Sequence, residues 1–294
     1  MALYAFDGTW NKDHDAGEYG LNTNVVRLKD LYAETKFFYV GIGTKHGFLG
    51  KLIGGAFGVG GQERIAEAKR DVAVQLAKGD QSIDIIGFSR GAALALDFAN
   101  VLADGVPVAL GGASQTVKPK IRFLGLWDVV AAFGIPVDIG IQFSRINLGY
   151  KLTLPDNVQR CFHALALDER RPAFRPTRVP AAYECWFRGV HSDIGGGNDN
   201  HALNDITLRW MLYKAQGCGL PLPEGCIGAS CTAVNPAAPI SGTKDPFKDH
   251  ARDVLATDRA HYTVTERAGC VNPPTGVARE SEETERQSVP AIGT

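Results

Sequence analysis

Apolar and polar positions alternate in blocks along the first two thirds of the chain. "ALYAF" (2–6) is apolar on both faces and stops at Asp7-Gly8-Thr9. "NTNVVRLKDLYAET" (22–35) spaces Val25, Val26, Leu28, Leu31 and Tyr32 near the helical period, with Thr23 or Asn24 placed to cap it. "KFFYVGIGT" (36–44) reads as a second strand ending in glycine. "GFLGKLIGGAFGVGG" (47–61) reads as an apolar, Gly-rich loop. "QERIAEAKRDVAVQLA" (62–77) carries Ile65, Ala68, Val72 and Leu76 on one stripe, which predicts an amphipathic helix. "SIDIIGF" (82–88) predicts a third strand and "RGAALALDFANVLA" (90–103) a buried, Ala-rich helix. Strands four, five and six are expected within 120–134, 158–171 and 181–197. A capped helix is expected over 204–219, ending at Gly217 or Gly219.

These strands are short, apolar on both faces and separated by helices. That is the pattern of an α/β fold, a mostly parallel sheet of about six core strands with helices on both faces. The core is expected to span 1–220, within one domain over 1–275 whose part from 221 to 275 is irregular. Residues 276–294, including "ARESEETERQSVPAIGT", read as a flexible tail.

Composition changes this picture little. Hydrophobic residues make up 45% and charged residues 21%, enough apolar material for a core. A net charge of −1 implies no basic face, so nucleic acid is not a favoured partner. The start lacks a basic n-region and no run of 18 apolar residues occurs. No signal peptide or transmembrane segment is therefore expected, and the chain is expected to be cytoplasmic as made. None of the six cysteines lies in a C-x-x-C. Cys161 and Cys185 read as reduced, buried thiols, while Cys226 and Cys231 flank a loop and form the pair that an oxidising compartment could join.

Candidate chemistry sits at the strand ends, because a parallel sheet binds ligands beyond the carboxyl edge where strand order reverses. Asp7-Gly8-Thr9, Gly41-Ile42-Gly43, Ser89, Asp128, Asp168 and His191 occupy such positions. In "IDIIGFSRGA", strand 82–88 runs into G-x-S-x-G and a helix follows at once. This is the context of a nucleophile elbow, with Ser89 as nucleophile at the positive end of the following helix. The competing reading is a phosphate-binding or purely structural glycine turn.

A serine nucleophile needs a base, and the base an orienting acid. His191, directly after the sixth strand, is the expected base and His201 the runner-up. His163 lies in "CFHALAL" and reads as a packed strand residue, whereas His250 and His261 read as solvated. Asp128 ends the fourth strand in an apolar setting, where a charge is costly without a partner, and this favours it weakly as the acid. Asp168 in "DERRP" is the alternative acid, although an Arg-paired structural role is natural there. Asp193 is expected to shape its loop. Oxyanion donors are expected from the backbone of Arg90 and of Gly8 or Thr9.

Five motifs in order, "FDGTWN", "GFSRGA", "LGLWDVVA", "LALDERR" and "WFRGVHSDIGGG", resemble the α/β-hydrolase domain family that includes the type VI secretion lipase effectors of the first class. The resemblance covers residues 5–197. It implies an α/β-hydrolase-like fold and a Ser-Asp-His hydrolase with phospholipase A activity in relatives. By motif it carries the nucleophile to Ser89, the acid to Asp128 and the base to His191, while Val129 stands where the family often has Thr. It further implies export by a type VI secretion system. The partners it suggests are an acyl ester or phospholipid substrate, a membrane surface, and an immunity protein or secretion-system component.

The expected function is thus a serine ester hydrolase of lipase or phospholipase type, needing no metal or organic cofactor. The segments 47–61 and 129–150 are candidates for a lid or acyl pocket. The alternative is a non-catalytic binding module on the same fold. Ser89 and His191 within hydrogen-bond reach would argue for the enzyme.

Overall fold

The structure is a computed structural model that describes residues 1–8, 22–40, 55–131, 150–242, 251–267, 276–287, 289 and 291. Its elements are β1 (Ala2–Phe6), α1 (Asn24–Leu31), β2 (Thr35–Tyr39), α2 (Gly55–Ala77), β3 (Ser82–Phe88), α3 (Ser89–Ala103), β4 (Val106–Leu110), β5 (Ala113–Val117), β6 (Lys120–Trp127), β7 (Cys161–Ala166), β8 (Tyr183–Phe187), α4 (His191–Gly195), α5 (His201–Gly217), α6 (Cys226–Ser230), β9 (Arg259–His261), β10 (Ala278–Glu280) and α7 (Glu282–Glu285).

Eight strands form one sheet in the order β2–β1–β3–β6–β7–β8–β9–β10, every pair of neighbours parallel. Strand order reverses between β1 and β3, so the crevice for a ligand opens beyond Phe6 and Phe88. The registers Phe6↔Gly87, Phe88↔Trp127 and Trp127↔Ala164 bring these carboxyl ends to one level.

Alternate strand residues feed two cores. Tyr4, Phe6, Ile83, Ile85, Leu124 and Leu126 pack with Ile65, Ala68 and Val72 of α2 and with α3. Leu3, Ala5, Ile86, Phe88, Phe123 and Trp127 pack on the other face with α1 and α5. A bulge in β6 places Ile121 and Phe123 in opposite cores, and the intervening Arg122 donates through Nε to Asp84 Oδ1 at 3.0 Å. Thr23 caps α1 by accepting from the Val26 amide.

Two expectations, the loop at 55–61 and the irregular or flexible chain after 220, need correction. Residues 55–61, read as loop, belong to α2, whose helix carries the chain through these glycines. The expected core strands are all present, and among the described residues the sheet gains two more at one edge: β9 arises in the segment read as irregular and β10 in the segment read as a flexible tail. Each of these strands has only three residues, too few to show a period. Cys226 and Cys231 are both free and buried. An antiparallel β4–β5 hairpin, not anticipated, rests Val106 and Val108 against the α2 side.

What holds β10 is a buried charge. Glu280 accepts from Lys214 Nζ at 2.6 Å, from Trp210 Nε1 at 2.7 Å and from Tyr183 Oη at 3.1 Å. Both side chains of the Lys214–Glu280 pair are 0% exposed. Lys214 also donates to the Glu285 carbonyl at 2.9 Å, closing α7 onto α5. Lys214→Met leaves Glu280 buried without its counter-charge, so urea unfolding should show a loss of about 3–5 kcal/mol. Hydrogen exchange over 278–285 should rise with it, and an unchanged midpoint would refute this account of the C-terminal segment.

Candidate active site

β3 passes into α3 with no residue between them. Ser89 stands at the junction with φ +59°, a left-handed conformation that is uncommon for a residue with a Cβ. The turn is only possible because its flanks are bare. A Cβ on Gly87 would lie 2.7 Å from Ala92 Cα, and one on Gly91 would lie 2.3 Å from the Asp7 carbonyl oxygen. The second distance also shows how closely the start of α3 approaches the end of β1.

Asp128 follows β6, also with positive φ (+39°). Its loop is pinned from several sides. The Asp128 amide donates to the Ala164 carbonyl at 2.8 Å, and the Val130 amide to the Ser89 carbonyl at 3.2 Å. The Val129 amide donates to His163 Nε2 at 3.1 Å. His191 opens α4, and its amide donates to Glu169 Oε2 at 3.1 Å. Its ring lies between Phe88 and Phe174, with centroids 4.6 and 4.8 Å away.

These elements bring Ser89, His191 and Asp128 into one hydrogen-bonded line. His191 Nε2 is 2.8 Å from Ser89 Oγ, and His191 Nδ1 is 2.6 Å from Asp128 Oδ2. All three residues are buried, Asp128 completely. With Asp128 ionised, Nδ1 carries the proton and Nε2 is left to accept from the serine hydroxyl.

The electrostatics fit that state. Burial would raise the Asp128 carboxyl, but the Arg252 guanidinium and His191 outweigh it and hold the group well below the usual carboxylate range. Burial pushes the His191 imidazole below its ordinary value; Asp128 opposes this and Arg252 adds to it. Arg252 donates through Nη1 to Asp128 Oδ1 at 2.6 Å and through Nη2 to Oδ2 at 2.9 Å. Sequence reasoning missed this arginine. The available signal was that a buried carboxylate needs a counter-charge, but it does not say which of many arginines supplies it.

The other candidates fall elsewhere. Asp168 Oδ2 accepts from Arg188 Nε at 2.8 Å and from the Gly189 amide at 2.7 Å, while His191 Nδ1 turns to Asp128. Glu169, not singled out from the sequence, binds Arg171 at 2.7 Å and orders the loop below His191. His163 is a packed strand residue, its Nδ1 2.9 Å from Glu184 Oε1. His201 opens α5. His261 is buried rather than solvated, because β9 draws it under Phe187, with ring centroids 4.7 Å apart. Asp193 Oδ2 accepts from the Val190 and Ser241 amides and Oδ1 from Asn198 and Asn200, which ties its loop together. The Gly8 amide donates to Asp7 Oδ1 at 2.7 Å. Thr9, Gly41-Ile42-Gly43, His250, Cys270 and most of the two apolar segments, 47–54 and 132–149, lie outside the described residues.

A parallel sheet with a serine elbow at its switch point, covered by helices on both faces, is an α/β-hydrolase-like fold. The chain belongs to the family of Tle1-like phospholipase effectors of the type VI secretion system, whose catalytic-domain model matches residues 3–106 and 109–214. An uncharacterized protein from Pseudomonas aeruginosa of solved structure has the same fold, with a TM-score of 0.52, 20% identity, and coverage of 80% of this chain and 48% of that one. The Tle1 effector solved bound to the VgrG spike of the type VI secretion system aligns at a TM-score of 0.49 and 26% identity, over 67% of this chain and 51% of that one. A stretch of 75 residues is 32% identical to an uncharacterized protein of Saccharomyces cerevisiae, covering 24% of this chain and 11% of the yeast protein. The chain thus spans about half the length of these two solved proteins.

The elbow geometry makes a direct prediction about folding. Gly91→Ala must push the α3 backbone off the end of β1 and should cost at least about 1–3 kcal/mol in chemical denaturation. Gly228→Ala, where an added Cβ meets nothing within 4 Å, should change stability by less than about 1 kcal/mol. Equal effects at the two sites would contradict the close approach.

Proposed function

We propose that this chain is a serine carboxylic-ester hydrolase of the lipase or phospholipase type, working through an acyl-enzyme. Ser89 Oγ attacks the acyl carbonyl while His191 Nε2 takes its proton. Asp128 holds the Nδ1 proton and stabilises the imidazolium that forms. His191 then returns the proton to the leaving alcohol, and a water molecule repeats the sequence to release the acid. The backbone amide of Arg90, directly after the serine in the first turn of α3, is the proposed oxyanion donor, the place that a nucleophile elbow gives it. Gly8 or Thr9 is the proposed second donor, and Gly8 would have to exchange its bond to Asp7 for the oxyanion.

The observation that carries this reading is the unbroken line from Ser89 Oγ through His191 to Asp128, at 2.8 and 2.6 Å, anchored on a strained serine. Its lengths are those of working hydrogen bonds, which supports an enzyme over a binding module on the same fold. Family membership supports a phospholipid as substrate, and cleavage of phospholipase A type is proposed from the resemblance of the sequence motifs alone. It also supports export through the type VI secretion system with a secretion component as partner; an immunity protein and a membrane surface are proposed from the resemblance of the sequence motifs alone. Among the described residues no helix is long and apolar enough to cross a membrane.

Fluorophosphonate should label Ser89 covalently, and Ser89→Ala should lower ester hydrolysis by about 10⁴-fold or more. Asp128→Asn should lower kcat by about 10⁴-fold through the wrong histidine tautomer, and Asp168→Asn should leave it within about tenfold. A panel from short nitrophenyl esters to phospholipid vesicles then reads the substrate class. Undiminished hydrolysis by Ser89→Ala would sink the proposal.

The pH profile is a separate check. His191 acts only when neutral, and burial lowers its pKa. The acid limb of kcat/KM should therefore lie below about pH 6.5, the ordinary imidazole value. A limb above that value would contradict the buried, Arg252-facing base.

A further inference from the structure

Asp128 has more donors than a line of serine, histidine and carboxylate requires. Its two oxygens accept four hydrogen bonds: the Ala166 amide at 3.0 Å, Arg252 Nη1 at 2.6 Å, Arg252 Nη2 at 2.9 Å and His191 Nδ1 at 2.6 Å. A carboxylate has about four lone-pair sites, so this one is saturated and has no freedom to turn. The same two guanidinium nitrogens reach past it, Nη1 to the Ala166 carbonyl at 2.7 Å and Nη2 to the Phe174 carbonyl at 2.6 Å. Ala166 ends β7, and Phe174 is the residue whose ring walls His191.

We propose that Arg252 is a positioning residue of this site, a planar clamp that fixes the Asp128 carboxylate toward His191, ties the Phe174 turn beside the imidazole and shares the carboxylate's charge. The proposal rests on the Ser89–His191–Asp128 reading given above. Arg252 lies beyond residue 214, where the match to the family's catalytic domain ends. A segment outside that match therefore completes the site.

The bidentate fork is what makes this arginine more than a neutraliser. Two parallel N–H···O bonds set the plane of the carboxylate, which a point charge cannot do. Charge sharing has a second effect. A carboxylate already paired with a cation pulls less on an imidazolium, so His191 stays neutral to lower pH. The charged groups around His191 are Asp128 and Arg252 on one side and Glu169 with its partner Arg171 on the other, with the Asp168–Arg188 pair preceding it and Arg90 following Ser89. Of these, only Arg252 binds the carboxylate that holds Nδ1, so its removal should raise the His191 pKa and move the acid limb upward.

The test compares Arg252→Met and Arg252→Lys in the whole chain, reading kcat/KM for a nitrophenyl ester against pH and the rate of fluorophosphonate labelling at Ser89. Arg252→Met should raise the acid limb by about one to two pH units, the size expected of one charge at several ångströms in a partly polar interior. It should also lower kcat/KM on the alkaline plateau by roughly tenfold or more, because Asp128 becomes free to rotate. Arg252→Lys keeps the charge but loses the fork, so its limb should stay near that of the parent while its plateau falls. A folded Arg252→Met with the parent limb and a plateau within about twofold overturns the proposal. If Arg252→Met does not fold, Arg252→Lys decides: a parent-like plateau overturns the proposal and a lowered one with the parent limb supports it. If Ser89 labels and Ser89→Ala is inactive while both arginine variants behave as the parent, this inference alone fails. If Ser89 is neither labelled nor needed, the reading beneath it fails.

Discussion

An ionised carboxylate with no exposure to water is the constraint on which this structure turns. Asp128 is completely buried at the end of β6. Leaving such a charge unpaired would cost several kcal/mol, so the protein must bring donors to it. It does so from distant parts of the chain: the Ala166 amide, the His191 ring and the Arg252 fork. Satisfying Asp128 therefore draws together the His191 ring, the strand end at Ala166 and the segment after residue 250.

A second buried network stands behind the first. His163 Nε2 accepts from the Val129 amide, so Nδ1 carries the proton and donates to Glu184. Burial would raise the Glu184 carboxyl, but His163 and Arg178 hold it down at about 2. Arg178 continues to Asp258, which also accepts from Trp186 Nε1 at 2.9 Å. This chain of hydrogen bonds runs from the Val129 amide, next to Asp128, to the residue before β9. It explains how a backbone with positive φ at Asp128 persists: its neighbours determine it more strongly than its own preference does.

The chain after residue 250 is thus tied into the fold and into the surroundings of Asp128. Arg252 reaches the site, Asp258 anchors the network behind it, and Glu280 binds Lys214 and Trp210 of α5. Each contact uses a polar or charged side chain inside the protein, where a low local dielectric makes a satisfied pair strong and a broken one costly. Apolar periodicity could not reveal these residues, because they are not apolar.

What the sequence determined by itself is local in character. Blocks of mostly apolar residues set six of the strands and the main helices, since the central strands of a sheet covered on both faces are rich in apolar residues. The elbow was legible as well: Gly87 and Gly91 around Ser89, with a strand before and a helix after, leave few other conformations. Strand ends narrowed the candidate acids to Asp128 and Asp168 and made His191 the expected base, and the family motifs favoured Asp128. Only the tertiary structure turned His191 Nδ1 to Asp128, gave Asp168 to Arg188, recruited Arg252, and added β9 and β10 to the sheet edge. These outcomes depend on residues tens of positions apart meeting in a dry interior. Pairing there is decided by which charge must be compensated, and no short stretch of sequence carries that information.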